Sequence, residues 1–423
     1  MKKTIFAVAI LFLTSFAFAE KINWEIVVQQ TLEKNPLIQS AKLRLENAQQ
    51  AYNRSLSGYM PMVSLRGSAS QRGGDAADGI NTTFSRSYSY GLSANLSIFS
   101  GFDTYNDVRQ KSTELKIAQL SYDRVVSDVA YEVTSQYINL MWAYESVELS
   151  KRIFERRKEN RDMVQLKYNS GNVDAGSLKR IEADVELTSF NLRKAQRYIE
   201  TASAALLKAI GRKDNVILVT EEKLSIHERM IARPDFADII TKIPEFLTAQ
   251  FNVDVSRFQY AKVKSAWFPN IGLSGGMSRA GREWAPDRDS WDAGLSISYM
   301  LFNGGARFAD TKISSNQLKI TEETFKNVTN SLRSSAVSYF NSLTDSIENM
   351  SVREFYLAAS QLQAEISMRK YINGLSSYQD WYSIENDYIN SQTMFLDTKR
   401  SSAMEKSRWR NFLGEGFADE PGK

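Results

Sequence analysis

Two stretches of this chain hold neither glycine nor proline for far longer than a globular helix requires. One lies between Gly101 and Gly171, the other between Gly305 and Gly374, and they are 69 and 68 residues long. Both are rich in Glu, Lys, Arg, Gln, Leu and Ala, which are compatible with helix. A continuous helix of that length reaches about 100 Å, so each stretch must belong to a coiled coil or bundle rather than to a compact core. In the first stretch Val126, Ala130, Val133, Tyr137, Leu140, Tyr144 and Val147 alternate steps of four and three, a heptad seam. Val125, Val129, Ile138 and Met141 widen it on other faces. A helix with two apolar flanks packs between two neighbours, as in a closed ring of helices. A long dimeric coiled coil or a spectrin-like bundle satisfies the seam equally well.

The chain also repeats itself. Pro36 and Pro61 recur at Pro244 and Pro269, a displacement of 208 residues. After a loop five residues shorter in the second copy the displacement becomes 203 and stays there. It relates Gly91-Leu92-Ser93 to Gly294-Leu295-Ser296, Tyr168 and Gly171 to Tyr371 and Gly374, and Gly211 to Gly414. It also relates Ile181, Glu182 and Asp184 to Ile384, Glu385 and Asp387. Each copy reads short helix, hairpin, very long helix, turn, medium helix. The first repeat is expected over 20–211, with its hairpin near 61–99 and its long helix near 102–170. A linker over 212–235 leads to the second repeat over 236–414, with a hairpin near 269–302 and a long helix near 306–373. Residues 415–423 form a tail.

The hairpins carry a period of two. Tyr88, Tyr90, Leu92, Ala94, Leu96 and Ile98 fall on one face, and Ser89, Gly91, Ser93, Asn95 and Ser97 on the other. In the second copy Trp291, Ala293, Leu295, Ile297, Tyr299 and Leu301 oppose Asp292, Gly294, Ser296, Ser298 and Met300. Partner strands begin at Pro61 and Pro269, where proline is tolerated as a first residue. The loops carry turn chemistry at 73–79 and at Pro286-Asp287-Arg288-Asp289. Apolar-out, small-polar-in alternation with aromatics near the strand ends fits transmembrane strands. Four strands cannot close a barrel alone, and open edges are forbidden in lipid. Two chains give eight strands, whose interior side chains fill; three give twelve, wide enough for a lumen.

Lys2 and Lys3, the apolar run Thr4–Phe16 and the small-x-small triplet Ala17-Phe18-Ala19 predict a signal peptide over 1–19, cleaved before Glu20. Removing those two lysines takes the formal charge from +4 to +2, and no basic stripe for nucleic acid is evident. There is no cysteine, hence no disulfide and no lipid-bearing cysteine. No later apolar run is long enough for a membrane helix. An exported chain that inserts must then do so as a closed barrel.

With "YMPMVSLRGS" and "WFPNIGLSGG" opening the hairpins, the chain resembles the TolC-type outer-membrane efflux protein family. So do "LSIFSGF" and "YMLFNGG" entering the long helices, and "KYNSGNVDAGSLKRIEADVEL" and "KYINGLSSYQDWYSIENDYIN" at the far turns. The likeness covers Glu20 to Gly414. It implies a mainly α fold with a membrane β-barrel: a homotrimer forming a twelve-stranded barrel and a long α-helical barrel across the periplasm. It also implies a mixed equatorial belt, a periplasmic adaptor (membrane fusion) protein and an inner-membrane pump of the RND or ABC type. By the same resemblance Tyr168, Gly171, Tyr371, Gly374, Ser376 and Asp380 stand at the periplasmic entrance. In the family's best-known member a second-copy tyrosine and an arginine five residues on help hold that entrance shut. Tyr371 matches the tyrosine, but Ser376 occupies the arginine position, and Gly176 and Ser177 replace the first-copy acceptors Thr and Asp. Asp380 matches one of two acidic rings, and Ser383 stands at the other. Three copies of Asp380 in a narrow lumen would favour cations; the alternative is an ordinary solvated carboxylate.

His227 is the one histidine, so the usual metal and nucleophile constellations cannot be assembled, and no phosphate-cradling loop appears. No catalytic residue, cofactor or metal is expected. The leading reading is a passive exit duct of a tripartite efflux or type I secretion system in the outer membrane. A non-conducting, envelope-spanning coiled-coil tether is the alternative.

Overall fold

The computed structural model describes residues 19–75, 82–224 and 232–417. The expected signal peptide up to Phe18, most of the first hairpin loop, His227 and the last six residues lie outside them. The chain opens with β1 (Ala19–Lys21), α1 (Trp24–Lys34) and α2 (Pro36–Leu56). The first hairpin is β2 (Met62–Asp75) and β3 (Thr82–Ser100), followed by α3 (Asp103–Asn169) and α4 (Ala175–Ile210). After β4 (Ile217–Val219) and the short α5 (Phe236–Ile240), the pattern recurs. It gives α6 (Pro244–Lys264), β5 (Asn270–Gly281), β6 (Arg288–Ser298), α7 (Ala306–Ile372) and α8 (Tyr378–Leu413). The paired helices match in length, 67 residues for α3 and α7 and 36 for α4 and α8. Among the described residues no helix is long and apolar enough to cross a membrane.

Two compact units divide the chain. One comprises Ala41–Asp123 and Ile240–Arg333; the other comprises 124–239 with the described residues up to 40 and from 334 onward. The first holds a four-stranded sheet in the order β2-β3-β5-β6, antiparallel throughout. Leu65, Leu92, Met277 and Trp291 form one cross-strand row of its apolar face, and Leu96, Leu273 and Leu295 another. Apart from the half-buried Leu96, these side chains are open to solvent in the single chain, Trp291 at 82 % and Leu65 at 78 %. The opposite face is small and polar. Hydroxyls pair across strands there, Ser64 with Ser93, Ser68 with Ser89 and Ser278 with Ser290, each at 2.8 Å.

Two details depart from uniform alternation. The β3–β5 ladder slips between Ser97 and Phe99, so Ile98 is an unpaired bulge residue and Phe99, opposite Ile271, joins the apolar face in its place. β6 ends at Ser298, paired with Asn270 at the start of β5. Tyr299 and Leu301 therefore lie past the strand, where β5 offers nothing to pair with. The turn into α3 is made by Gly101 and Phe102, at φ +63° and +70°. Gly101 is required on two counts, since a Cβ there would also stand 2.4 Å from the Ser265 carbonyl oxygen. Phe102 tolerates the left-handed conformation inside an edge-to-face cluster with Phe99 and Phe268, centroids 5.2 and 5.8 Å away.

In the other unit β1 pairs in parallel with β4. Asn35, between α1 and α2, donates to the Ala209 carbonyl at 2.7 Å and accepts from the Leu37 amide at 2.8 Å. Gly211, at φ +96°, ends α4 so closely that a Cβ would meet the Lys34 carbonyl oxygen at 2.7 Å. Arg212 then bridges Glu20 and Asp214, and its guanidinium holds both carboxyls below their ordinary range.

Candidate functional site: the paired helix turns

The α3–α4 and α7–α8 turns are built alike. Gly171 and Gly374 sit at φ +76° and +75° with open space where a Cβ would stand, so backbone conformation alone calls for glycine. Each closes a Schellman motif. Gly171 and Asn172 donate to Tyr168 and Lys167 carbonyls at 2.9 Å, and Gly374 and Leu375 to Tyr371 and Lys370 at 3.2 and 2.8 Å.

The following helices are capped by one pair of residue types in opposite order. Asp174 caps α4, accepting from the Ser177 amide at 2.9 Å and the Ser177 hydroxyl at 2.7 Å. Ser377 caps α8, accepting from the Asp380 amide at 3.1 Å while its hydroxyl donates to the Asp380 carboxylate at 2.6 Å. The Ser177 hydroxyl and amide hold the Asp174 carboxyl below its usual range. Asp380 is exposed and Ser376 half-buried.

Beneath the turns the four helix ends share one core of Val164, Leu178, Ile181, Tyr371, Trp381 and Tyr382. Tyr371 is 3 % exposed and stacks on Trp381, with centroids 4.7 Å apart and planes 6° from parallel. Its first-repeat counterpart Tyr168 is 40 % exposed. The duplicated tyrosines thus occupy unlike positions, one inside the protomer and one on its surface. Tyr378 stacks on Tyr382 at 5.5 Å. The Lys167 ammonium sits 4.8 Å from the Tyr371 ring centre, and the Arg180 guanidinium 4.7 Å from that of Tyr382, both within cation–π range. The Tyr382 hydroxyl donates to Asp184 at 2.6 Å. The hydroxyls of Tyr371 and Tyr378 and the indole N–H of Trp381 are buried with no hydrogen-bond partner among the described residues. Burial pushes the pKa of both phenols above the ordinary tyrosine value.

One turn deeper, Glu385 is fully buried. Arg156 grips it in a two-pronged ion pair and Asn160 donates to it at 2.9 Å. Its counterpart Glu182 is a surface residue paired with Lys179 at 2.7 Å. The carboxylates duplicated in sequence have therefore diverged, the second becoming an internal tie between α3 and α8. Of the residues singled out from sequence, Tyr168, Gly171, Tyr371, Gly374, Ser376 and Asp380 all lie at these two turns or the helix ends flanking them. The motif reading missed Trp381, Tyr378, Tyr382, Lys167 and the Arg156–Glu385 pair. A usable signal was present in the aromatic density at the start of α8: Tyr378, Trp381, Tyr382 and Tyr388 within eleven residues.

A family model described as "Outer membrane efflux protein" matches residues 27–212 and 238–414. The sequence is 21 % identical over 407 residues to the cation efflux system protein CusC of Escherichia coli O6:H1, spanning 92 % of this chain and 85 % of that one. Over 336 residues it is 20 % identical to the outer membrane efflux protein BepC of Brucella suis, spanning 78 % of this chain and 73 % of BepC. The fold superimposes on the open state of the MtrE outer membrane channel of Neisseria gonorrhoeae with a TM-score of 0.81 at 18 % identity, over 94 % of this chain and 90 % of that one.

Proposed function

Because the chain belongs to the outer membrane efflux protein family, we propose that three copies join their sheets into one twelve-stranded barrel and act as a passive exit duct. The observation that carries this reading is the sheet itself. Its order leaves β2 and β6 as edges, and its apolar face is open to solvent in the single chain. An edge in hydrocarbon leaves backbone groups unpaired at a cost of several kcal/mol each. Only closure with further copies removes both edges, and twelve strands leave a lumen that eight do not.

The duct lies in the outer membrane and reaches into the periplasm, where it works with a periplasmic adaptor and an inner-membrane pump. Transport energy comes from that pump, and the chain performs no chemistry of its own. The two glycine turns form the periplasmic entrance. There the stacked Tyr371–Trp381 pair stiffens each protomer's tip, while the exposed Asp380 faces the lumen as one of three carboxylates. The entrance closes without the arginine found in the family's best-known member. Rigidity comes instead from the aromatic core and from the buried Arg156–Glu385 tie.

Conductance across a planar bilayer tests the duct. Purified protein is expected to give small, step-like currents that grow when the tip core is loosened by Trp381→Ala. Silence from both proteins would contradict a duct and favour the tether.

A further inference from the structure

The pairing inside one protomer specifies the pairing between protomers. The two hairpins share one register: Met62 lies opposite Asn95 in the first, and Asn270 opposite Ser298 in the second. These partners differ by 208 on one strand and 203 on the other, the same offsets that relate the two repeats in sequence. Among the described residues the β3–β5 ladder is the one strand contact between repeats within the chain. Its counterpart in a closed ring is β6 of one copy against β2 of the next. Within the chain that ladder sets Ser89 opposite Ala280, Leu92 opposite Met277 and Leu96 opposite Leu273. Advancing β3 by 203 residues and moving β5 back by 208 transfers each pair to the missing contact.

We propose that β6 runs antiparallel beside β2 of the next copy with Asp292 directly opposite Arg72 of the partner subunit, an ion pair on the lumenal face. The inference rests on the trimeric-barrel reading and fixes the register within it. The same displacement sets Leu295 opposite Ala69 of the partner subunit, Ser296 opposite Ser68 of the partner subunit and Tyr299 opposite Leu65 of the partner subunit. Apolar residues thus meet apolar ones, and serine meets serine as it does inside the protomer. Asp292 belongs to the polar face, its carboxylate 3.0 Å from where a Cβ on Gly276 would stand. Arg72 alternates with Ser64 and Ser68 on the same face of β2. A slip of one residue would turn every β6 side chain to the wrong face. A slip of two would set Asp292 opposite Ser70 or Gly74 of the partner subunit, where no countercharge waits. Directly opposed unlike charges stabilise a strand pair, so this contact favours the matched register over its nearest competitors.

The end of β6 gives independent support. Met300, Leu301 and Phe302 are 63 %, 85 % and 81 % exposed and follow the last residue that β5 can pair. In the first repeat the equivalent residues continue the ladder, with Phe99 opposite Ile271. A neighbouring β2 in the transferred register reaches past Ser298 and supplies the partner that β5 cannot.

The natural chain has no cysteine, so paired cysteines read the register directly. Asp292→Cys combined with Arg72→Cys, oxidised in outer membranes, is expected to run as a covalent trimer on non-reducing gels. Each single variant should run as a monomer, as should Asp292→Cys combined with Ser70→Cys or Gly74→Cys. Cross-linking through Ser70→Cys or Gly74→Cys, in a protein that still has trimeric mass, would overturn the register and leave the trimer standing. No cross-link from any pair together with monomeric mass would overturn the trimer as well. For the ion pair, Asp292→Arg and Arg72→Asp should each lower the fraction of trimer that survives warming in SDS, and the double exchange should restore it. Failure of the exchange to restore it would contradict the pair.

Discussion

The Ser377 hydroxyl donates to the Asp380 carboxylate at 2.6 Å while the Asp380 amide donates back to Ser377 at 3.1 Å. Asp380, the carboxylate we propose for the lumenal ring, therefore also holds the start of α8. In the other repeat the same bonds run between Asp174 and Ser177 with the two residue types exchanged. The caps are conserved in function while the carboxylate moves by three residues.

Two variants separate the observed cap at Asp380 from its proposed place in the lumenal ring. Ser377→Ala removes the cap and should destabilise the turn by about 1 kcal/mol, with little change in cation preference. Asp380→Asn keeps a group that can accept the Ser377 bond but, in the proposed trimer, removes three charges from the entrance. It should lower cation over anion permeability, read as a shifted reversal potential in a salt gradient. An unchanged reversal potential would leave Asp380 as a capping residue alone.

Tyr371 stabilises the tip through its ring rather than its hydroxyl. That hydroxyl is buried with no hydrogen-bond partner among the described residues, so Tyr371→Phe should be neutral or slightly stabilising. Tyr371→Ala empties the stack on Trp381 and should cost about 3–5 kcal/mol, with a higher open-channel probability. Thermal unfolding and bilayer recording of both variants check this. A Phe variant as unstable as the Ala variant would show that the hydroxyl is bonded in the assembled channel.

The helices, the duplication and the hairpins were legible because each rests on a local rule. Glycine and proline interrupt helices, strands alternate with period two, and repeated spacing survives divergence. The offsets of 208 and 203 reappear unchanged in the strand registers. What stayed hidden was long-range. The bulge at Ile98 depends on how β5 meets β3, and alternation along β3 gave no sign of it. The unlike burial of Tyr371 and Tyr168, and of Glu385 and Glu182, depends on which repeat's helix ends turn inward. The matched spacing made these pairs look equivalent, and the cue to their difference, aromatics crowded into the start of α8, was compositional rather than a motif.

Glu385 should be the least replaceable carboxylate in the tip. It is fully buried, and Arg156 and Asn160 hold it. Glu385→Ala leaves Arg156 without its counter-ion and should cost about 3 kcal/mol, the low end for a broken buried pair because Arg156 keeps some solvent contact. Replacing both partners, Glu385→Leu with Arg156→Met, should recover most of the loss. Equal instability of the single and double variants in thermal unfolding would contradict the assignment.

Acid should act on the α4 cap below the physiological range. The Asp174 carboxyl is held below its usual value by Ser177, whereas in the unfolded chain it titrates near ~3.9. Its contribution to stability is therefore complete above that value and fades as pH falls through the lower folded one. The difference in melting temperature between the natural protein and Asp174→Ala should stay constant from neutral pH to about 5 and shrink below about 4. A difference that widened on acidification would contradict the bonded, ionised cap.

Gly101 and its counterpart Gly304 should differ sharply on substitution. Both have positive φ, but a Cβ at Gly101 meets the Ser265 carbonyl oxygen at 2.4 Å while that at Gly304 meets nothing within 4 Å. Gly304→Ala should cost about 1–2 kcal/mol for the left-handed backbone alone. Gly101→Ala should abolish assembly, seen as loss of trimer from outer membranes.

The open four-stranded sheet makes the number of chains the central claim. The mass of the protein, purified from outer membranes in mild detergent and measured by light scattering with detergent subtracted, tests it most directly. Three chains per particle is the predicted result. A monomer that leaves the membrane without detergent would contradict the shared barrel.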